Sequence, residues 1–459
     1  MTTPNPVLRA AVGDRGRVIG ACVIAAGAFL LPCVAGAQAV DTELVSVTAF
    51  SRAAAGGSAL EGTSSLSANG RYVVFRSWRS TLVAKDTNGS SDIFVRDLAT
   101  ATTERVSVSS SGLQMKAGSR APVISADGRF VAFQSKAANL VPGDDNEAED
   151  IFRHDRWTGR TILVSRASNG ARGNAGSFAP AISANGRFVA FMSNAGNLAP
   201  GASGWYRSVY VRDVWRGTTR LVSVNTQGEE GQGDAISLVI SADGRYVAFA
   251  SGAGNLAAND VNGGYDVFVR DLQVGVTELI SVAVDGVSGQ SFSLDPAISA
   301  DGRYVAFTSW VRNLVPNDVN GYHDVFVRDR QTRTTERVSL SANGAELSWG
   351  AAGPTVSGNG RYVTFVSTDP NVVSGDTNGV PDAFVRDRQL QAVTRVSVGI
   401  DGVEGFSPEG VTASISADGK TVAFDTYSPG LVPNDTNSSQ DVFVRTLATP
   451  TGGATNPSN

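Results

Sequence analysis

The sequence predicts an all-β protein, a seven-bladed β-propeller with four antiparallel strands in each blade. The first observation is a repeat: a segment of the type Ser-Ala-Asp-Gly-Arg-Tyr-Val-Ala-Phe occurs seven times, at steps of 58 residues five times and 59 once. The second is composition, because 51 glycines and only 18% charged residues among 459 indicate a chain rich in turns. The segments lie at 67–75, 125–133, 183–191, 241–249, 299–307, 357–365 and 416–424.

Each unit contains four short β-type runs, and no helical periodicity separates them. Asp301 and Gly302 connect the first two runs of the fifth unit, and both residue types tolerate the positive φ of a tight hairpin turn. The second run is apolar enough to be buried on both faces, whereas the fourth is polar and is expected to be exposed. In this unit the four strands are predicted at 296–298, 303–308, 324–328 and 335–340.

The phenylalanines predict where the core lies. Thirteen of the 20 occupy two positions of the repeat, at the ends of strands two and three. We expect these rings to form the core between blades. They are Phe75, Phe133, Phe191, Phe249, Phe307, Phe365 and Phe424 in strand two, and Phe94, Phe152, Phe268, Phe326, Phe384 and Phe443 in strand three.

The two ends of the repeated region predict how the ring closes. The seventh unit lacks a fourth strand, while residues 42–47 (Thr-Glu-Leu-Val-Ser-Val) resemble a fourth strand that has no blade of its own. We expect residues 42–47 to complete blade seven, because an open ring would leave edge strands exposed. Residues 38–448 then form a single domain, and residues 449–459 form a disordered tail.

The N-terminal residues 1–37 are predicted to be an export signal. Arg9, Arg15 and Arg17 precede a 14-residue apolar stretch that starts at Val18, and small residues follow it, so cleavage is expected after Ala37 or Ala39. A membrane anchor is the less favoured alternative, because the stretch is shorter than the roughly 20 residues that span a bilayer. A lipoprotein signal at Cys22 is a second alternative. We therefore expect a periplasmic or secreted bacterial protein that does not span the membrane.

Charge and cysteine content exclude several classes of partner and chemistry. The net charge is −5 and there is no basic run, so nucleic acid is not an expected partner. Both cysteines, Cys22 and Cys33, lie in the predicted signal segment, so the mature protein is expected to have no disulfide and no thiolate nucleophile. We expect the protein to be a monomer.

The repeated motifs Ser-Ala-Asp-Gly-Arg-Tyr-Val-Ala-Phe and Asp-Val-Phe-Val-Arg-Asp give the chain a family resemblance. The sequence resembles the TolB-like propeller repeats of exported bacterial proteins, over essentially the whole mature chain. The resemblance implies the propeller fold but no single function, because propellers of this type include binding modules, peptidase side domains and lyases. We expect no counterpart of the α/β domain that precedes the propeller of TolB itself.

The loop between strands two and three carries the pattern Asp-x-Asn-x-x-x-Asp in six units, and two interpretations of it stay open. Oxygen ligands at positions one, three and seven suit a hard cation such as calcium, although the spacing is not that of an EF-hand. Alternatively, the side chains form Asx-turns that satisfy loop amides. The residues are Asp86, Asn88 and Asp92; Asp144, Asn146 and Asp150; Asp260, Asn262 and Asp266; Asp318, Asn320 and Asp324; Asp376, Asn378 and Asp382; and Asp435, Asn437 and Asp441.

Blade three departs from this pattern and suggests a binding surface. Trp205, Tyr206 and Arg207 stand in its loop, where no metal is expected. In the usual strand order this loop and the inter-blade loop with Trp349 lie on one face of the propeller, called here the loop face. Exposed aromatic side chains beside polar loops stack on sugars or grip peptides. Trp78 and Trp310, which share one repeat position, are instead expected to pack between blades.

Little in the sequence supports catalysis. His154 occupies a position held by arginine in the other six units, His323 is expected to be solvated, and no nucleophile-triad or zinc-site motif occurs. A hydrolase or lyase that uses two carboxylates remains the alternative, because two suitably spaced acids suffice to cleave a polysaccharide. Its candidate acids are those that we place outside the repeated positions, in the inter-blade loops: Glu229, Glu230, Asp234, Asp295, Glu346, Glu404 and Glu409.

These observations give two functional hypotheses. The preferred one is an exported, non-enzymatic propeller scaffold that binds a protein or a glycan through its loop face and is stabilised by calcium. The alternative is a polysaccharide-active hydrolase or lyase that uses carboxylates of the inter-blade loops.

Overall fold

A computed structural model describes residues 39–47, 57–61, 64–144, 146, 148–407, 410–433 and 435–447. Over these residues the chain forms seven four-stranded antiparallel sheets arranged in a ring, which confirms the predicted seven-bladed β-propeller. The predicted signal segment and the predicted tail lie outside the described residues. The described part of the chain contains one short 3-10 helix, Ile400–Gly402, and no helix long and apolar enough to cross a membrane.

The strands of the first three blades follow the chain in order after an N-terminal strand, β1 (Ala39–Leu44). Blade one contains β2 (Ser58–Ala59), β3 (Tyr72–Ser77), β4 (Asp92–Asp97) and β5 (Thr102–Arg105). Blade two contains β6 (Ser119–Ile124), β7 (Phe130–Ser135), β8 (Asp150–Asp155) and β9 (Arg160–Leu163). Blade three contains β10 (Ser177–Ile182), β11 (Phe188–Ser193), β12 (Ser208–Asp213) and β13 (Thr218–Leu221).

The remaining blades repeat this order. Blade four contains β14 (Ala235–Ile240), β15 (Tyr246–Ser251), β16 (Asp266–Asp271) and β17 (Val276–Leu279). Blade five contains β18 (Ser293–Ile298), β19 (Tyr304–Ser309), β20 (Asp324–Asp329) and β21 (Thr334–Arg337). Blade six contains β22 (Ala351–Val356), β23 (Tyr362–Ser367), β24 (Asp382–Asp387) and β25 (Ala392–Arg395), and blade seven contains β26 (Thr412–Ile415), β27 (Thr421–Thr426) and β28 (Asp441–Leu447).

The fourth strand of blade five, β21, is shorter than predicted, ending at Arg337 instead of residue 340. The reason is that a serine side chain replaces a backbone carbonyl in the hydrogen-bond ladder between β20 and β21. The Val325 amide donates to the Ser339 hydroxyl oxygen at 2.9 Å instead of to a backbone carbonyl. The chain can therefore leave the sheet at this point without losing a hydrogen bond.

The phenylalanine core lies where the repeat predicts it. In blade five, Phe307 of β19 stands opposite Phe326 of β20, both are fully buried, and their ring centroids are 6.0 Å apart. Equivalent stacked pairs occur in all seven blades; in blade three Tyr210 takes the second position, and its hydroxyl donates to the Ala195 carbonyl at 2.8 Å. The aromatic pairs thus form the centre of each inter-blade layer.

The N-terminal strand closes the ring, as predicted. β1 pairs antiparallel with β28, with Thr42 opposite Arg445 and Leu44 opposite Phe443, so that it becomes the outer strand of blade seven. The strand spans Ala39–Leu44, about three residues earlier than predicted, and the chain beyond it remains attached through a hydrogen bond from the Ser46 hydroxyl to Asp441.

A second closure lies among the innermost strands. Seven backbone hydrogen bonds link neighbouring blades in a closed circle, at the position just before each hairpin turn between strands one and two. Six run from one blade to the next along the chain, and the seventh joins the Asp418 amide of blade seven to the Ala68 carbonyl of blade one at 3.1 Å. The other donors are the amides of Ala68, Ala126, Ala184, Ala242, Ala300 and Gly358.

Blade one also contributes an ionic contact to the closure. Arg79 is fully buried and its Nη2 lies 2.7 Å from Oδ1 of Asp441 in blade seven. The same guanidinium donates to the Ser46 and Gln440 carbonyls at 3.1 and 3.2 Å. Five of the other six blades have no charged residue at the position of Arg79, and blade six has Asp369, so this pair is specific to the junction.

Candidate functional site

A groove of about 440 Å³ on the loop face brings together aromatic side chains of blades three, four and five. Its two tyrosines, one tryptophan and one phenylalanine surround a floor built mainly of glycine, and its single charged lining residue is an aspartate. The lining residues are Trp205, Tyr206, Gly233, Asp234, Gly252, Gly263, Gly264, Tyr265 and Phe292. We call this site the aromatic groove.

The loop of blade three holds Trp205 outward without the acidic pattern of the other loops. Glu230 takes over the role of the missing loop carboxylates, because its two oxygens accept hydrogen bonds from the Ser203 amide and the Ser208 hydroxyl, both at 2.9 Å. Asp234 accepts a hydrogen bond from the Arg207 amide at 2.8 Å. The loop is thus fixed at both ends, and Trp205 at its tip is 86% exposed.

Tyr265 and Phe292 form the opposite part of the groove, and neither belongs to a motif that predicted a binding site. Their rings meet edge to face at 6.3 Å, and Phe292 is 52% exposed. A Cβ at Gly233 would lie 2.6 Å from the backbone of Gly252, so no side chain fits there and main-chain groups remain accessible. The sequence did contain a signal for this part of the groove. Phe292 is a large aromatic residue in the loop that leads into blade five, and the loop of blade four contains Gly263 and Gly264.

Of the predicted binding residues, Trp205 and Tyr206 line the groove. Arg207 and Trp349 do not belong to its lining. Trp349 is nevertheless exposed on its own loop, which is ordered by Asp369: the carboxylate accepts hydrogen bonds from the Ser348 and Trp349 amides, the latter at 2.9 Å.

The prediction that Trp78 and Trp310 pack between blades was wrong. Both lie on the surface, with exposed fractions of 50% and 39%. Each is covered on one side by a polar partner: the Arg76 guanidinium lies 3.8 Å above the Trp78 ring, and the His323 ring lies 4.7 Å from that of Trp310. Contact with a flat charged or polar group replaced the expected inter-blade packing.

The two histidines have different environments. His154 occupies the arginine position of the repeat, but this position is buried and not at the surface as the sequence suggested, and Nδ1 lies 2.9 Å from the Thr161 hydroxyl. His323 is half-buried rather than fully solvated, and burial lowers its pKa below the ordinary value. Its nearest acids are Asp324 and Asp295.

Asp295 differs from the other acids outside the repeated motif. It lies within β18, not in an inter-blade loop as the sequence suggested, and adopts a left-handed φ of 51°. Solvent reaches the Asp295 side chain. Desolvation by the surrounding strands nevertheless raises its pKa, and His323 and the Thr308 hydroxyl offset part of this increase.

The six loops that carry the pattern Asp-x-Asn-x-x-x-Asp are called here the acidic loops. Each of their asparagines forms an Asx-turn. In blade one the Ser90 amide donates to Oδ1 of Asn88 at 3.0 Å, and Nδ2 of Asn88 donates to Asp92 at 3.0 Å. Both ends of the asparagine are therefore engaged within the protein. The same pair of contacts is made by Asn146, Asn262, Asn320, Asn378 and Asn437.

The aspartate at position seven joins strand three to the segment after strand four. In blade five the Ser339 hydroxyl donates to Oδ1 of Asp324 at 2.6 Å, and Asp324 is fully buried. An equivalent serine contact is made in each of the other acidic loops, by Asp92, Asp150, Asp266, Asp382 and Asp441.

In three blades an arginine of strand four inserts among the loop carboxylates. Nη1 of Arg337 lies 3.5 Å from Asp318, 3.4 Å from Asp324 and 2.5 Å from Glu346, three acids whose oxygens lie within 4.8 Å of one another. Burial, with Asp324 as a second cause, raises the pKa of Asp318 to about 6. Arg105 and Arg395 make equivalent contacts in blades one and six, so a guanidinium supplies positive charge where the sequence suggested a metal.

Three of the acids proposed as catalytic candidates serve the loops instead. One position of the repeat is shared by Glu230, Glu346 and Glu404, which lie 58 residues or a multiple of 58 residues apart. These three acids therefore follow the repeat, contrary to the sequence-based interpretation. Glu346 and Glu404 pair with Arg337 and Arg395 at 2.5 and 2.6 Å. Of the other candidates, Glu229 and Asp234 also accept hydrogen bonds within the loops, and Glu409 lies outside the described residues.

Comparisons with known proteins establish the fold and not a family. No protein-family model matches the chain, and no curated protein matches its sequence. An oligogalacturonate lyase in complex with manganese superposes with a TM-score of 0.52 at 10% identity, over 90% of this chain and 98% of the lyase. The propeller domain of the Trilobed protease from Pyrococcus furiosus gives 0.50 at 9% identity, over 86% and 98%.

TolB from Acinetobacter baumannii is also similar, with a TM-score of 0.39 at 15% identity, over 83% of this chain and 82% of TolB. The structural neighbours thus include TolB and other β-propellers. At these identities the likeness concerns the arrangement of blades, and the groove and the acidic loops are interpreted from their own residues.

Proposed function

We propose that the protein is an exported, non-enzymatic β-propeller that binds a glycan in the aromatic groove. The observation that carries the proposal is the groove itself, in which Trp205 and Phe292 expose apolar ring faces around a floor of main-chain groups. Sugar rings present C–H groups that pack on aromatic faces, and hydroxyls that pair with amides, carbonyls and carboxylates. Calcium enters this proposal as a structural ion of an acidic loop that has no arginine beside its carboxylates.

The size and chemistry of the groove favour a short oligosaccharide over a protein partner. Its volume of about 440 Å³ is that of a small-molecule site. Stable protein interfaces bury about 1,200–2,000 Å² and involve about 20–30 residues on each side, whereas nine residues line the groove.

The charge of the groove favours neutral sugars. Asp234 is its only charged lining residue, and the chain as a whole carries a net charge of −5. An acidic polymer would meet no cation there and would be repelled. In this respect the groove suits a substrate class different from the anionic one in the name of the oligogalacturonate lyase.

Binding without turnover is favoured because most loop carboxylates already have partners. A glycosidase keeps two acids free on either side of the bond to be cleaved. Here Asp234 accepts a backbone hydrogen bond, and Glu346 and Glu404 are paired with arginines. The groove lining offers no second carboxylate to complete a catalytic pair.

A glycan array followed by a sugar-release assay tests the proposal. The mature protein is expected to bind a small set of neutral oligosaccharides and to release no reducing sugar from them. Binding restricted to uronate-rich glycans would contradict the predicted neutral specificity. Release of sugar that is lost on changing Asp295→Asn or Asp234→Asn would establish the enzyme alternative.

A further inference from the structure

The acidic loops differ in the source of their positive charge. Strand four supplies an arginine in blades one, five and six, as described above. In blade two Arg172 of the following loop faces Asp150 and lowers its pKa against the effect of burial. In blade seven Arg79 pairs with Asp441 at 2.7 Å. Five of the six acidic loops, as far as the chain is described, therefore have an arginine beside their carboxylates.

The loop of blade four lacks such a residue. Leu279 occupies the position of Arg337, since each stands opposite the phenylalanine of strand three in the same register. Ser288 occupies the position of Arg172 and Glu346. It is short and uncharged, and its hydroxyl oxygen accepts a hydrogen bond from the Val261 amide at 2.9 Å. Among the described residues, no lysine or arginine forms an ion pair with either loop carboxylate of blade four.

Asp260 of this loop is buried without a satisfactory partner. The residue is 7% exposed, and neither carboxylate oxygen has a hydrogen bond of good geometry. Burial raises its pKa, and the Asn262 amide and the Ser288 hydroxyl oppose this effect. A buried carboxylate in this condition costs several kcal/mol unless a cation or a proton neutralises it.

Asp266, the second carboxylate of the loop, lies six residues after Asp260, and the two charges interact. It is fully buried, accepts hydrogen bonds from Ser281 at 2.6 Å and Asn262 at 2.7 Å, and lacks the arginine that its counterpart Asp324 has. Burial, together with the charge of Asp260, raises its pKa to about 6. The two acids therefore destabilise each other when both are ionised.

We propose that the loop of blade four binds one calcium ion between Asp260 and Asp266, in the position that an arginine guanidinium occupies in blades one, five and six. Water completes the coordination, because Asp260 also lines a solvent-open cavity of about 780 Å³ through which a hydrated ion can enter. Three blade-five arginines line that cavity. Arg328 donates to Thr335 and Arg330 to Glu278, both at 3.0 Å, and Arg333 is exposed at the turn before β21, with no ion pair to Asp260 among the described residues.

Calcium fits this site better than zinc or another soft metal. The available ligands are all oxygens, and calcium accepts six to eight of them in flexible geometry with several waters. With two carboxylates the affinity should resemble that of extracellular calcium modules, a dissociation constant on the order of 10⁻⁴–10⁻³ M. The proposal concerns the ion and not the aromatic groove, so calcium binding and glycan binding can fail independently.

Equilibrium dialysis of the mature protein against radioactive calcium, with two reciprocal variants, tests the site. The unmodified protein is expected to bind one ion per chain. Leu279→Arg supplies the missing guanidinium and should abolish binding. Arg337→Leu removes the guanidinium from Asp318, Asp324 and Glu346 in blade five, and should raise the stoichiometry to two.

Each outcome decides for or against the proposal. No bound calcium at millimolar concentration in the unmodified protein would overturn it, as would binding that persists in Leu279→Arg. If Leu279→Arg does not fold, Asp260→Asn gives the same test, since it removes a ligand and an unpaired charge. It should bind no calcium and should unfold at a higher temperature than the unmodified protein in the presence of a chelator; unchanged calcium binding in this variant would contradict the proposal.

Discussion

Arg79 shows how one side chain can determine the strength of the ring closure. It is fully buried, and its partner Asp441 in blade seven also accepts hydrogen bonds from Ser46 and Asn437. Replacing one member of a buried ion pair leaves the other charge without compensation, which typically costs about 3–5 kcal/mol. The pair therefore couples the first and last blades more strongly than its single contact suggests.

Arg79→Leu is expected to lower the free energy of unfolding by about 3–5 kcal/mol, measured by urea denaturation. The double variant with Asp441→Asn should recover part of this loss, because no buried charge then remains at the junction. Arg216→Leu, at an exposed turn, is the control and should change stability by less than about 0.5 kcal/mol. Equal effects of Arg79→Leu and Arg216→Leu on the free energy of unfolding would contradict the role of Arg79.

Asp425 makes stability depend on pH in a defined direction. It is 1% exposed in blade seven, and burial raises its pKa to about 6 despite hydrogen bonds from the Leu60 and Thr412 amides, both at 2.8 Å. The carboxyl of an unfolded chain titrates near 3.9, so the folded state binds more protons between about pH 4 and 6. The contribution of Asp425 to stability therefore falls as the pH rises through this range.

We expect the unfolding free energy of the unmodified protein minus that of Asp425→Asn to fall by up to about 3 kcal/mol from pH 4 to pH 7. The variant lacks the titrating group, so its lost hydrogen bond adds an offset that does not change with pH. Urea titrations at four pH values measure the slope. A difference that is flat or rises with pH would show that Asp425 is ionised in the folded state without penalty.

The acidic loops show that one repeated motif serves the same structural purpose with different partners. The asparagine and the aspartate at position seven make the same contacts in six blades, but the charge that neutralises the loop comes from strand four, the following loop or a neighbouring blade. The motif was visible in the sequence, whereas its partners were not. Arg105, Arg337 and Arg395 lie 13–19 residues after the acids, and Arg79 lies more than 350 residues before Asp441, so only the fold brings them together.

Strand β1 gives a direct test of closure. Deleting residues 38–47 leaves the outer edge of β28 unpaired and removes the Ser46 hydrogen bonds to blade seven. We expect the variant to unfold at a lower temperature and to associate through the open edge, as seen by light scattering during heating. Deleting the predicted tail, 449–459, is the control and should change neither property. A monomeric variant with unchanged thermal stability would contradict closure by β1.

The overall architecture was predictable from the sequence because the period, the hairpin turns and the phenylalanine positions all require the same blade. The unmatched strand near the N-terminus predicted the closure for the same reason. The site was less predictable, because it depends on departures from the repeat. Trp205 and Tyr206 were found as an interruption of a motif, but Tyr265 and Phe292 join them only through the packing of adjacent loops. The surface position of Trp78 and Trp310 depends on their partners Arg76 and His323, which the repeat pattern does not reveal.

The ring also explains how a rigid binding surface can be built from loops. Blades three, four and five each contribute part of the aromatic groove, so its shape depends on their relative positions, which the inter-blade phenylalanine core and the inner hydrogen-bonded circle fix. A preformed groove loses little conformational entropy on binding, which favours a small ligand such as an oligosaccharide.

Calorimetric titration of a neutral oligosaccharide into matched tryptophan variants tests glycan binding by the groove. Trp205→Ala is expected to weaken binding at least tenfold, about 1.4 kcal/mol, by removing an exposed ring of the groove. Trp215→Ala removes an equally prominent tryptophan, 63% exposed, from the turn at the other end of strand β12, and should bind like the unmodified protein. Equal affinity of the two variants, or loss of binding in Trp215→Ala alone, would contradict the assignment of the aromatic groove as the glycan site.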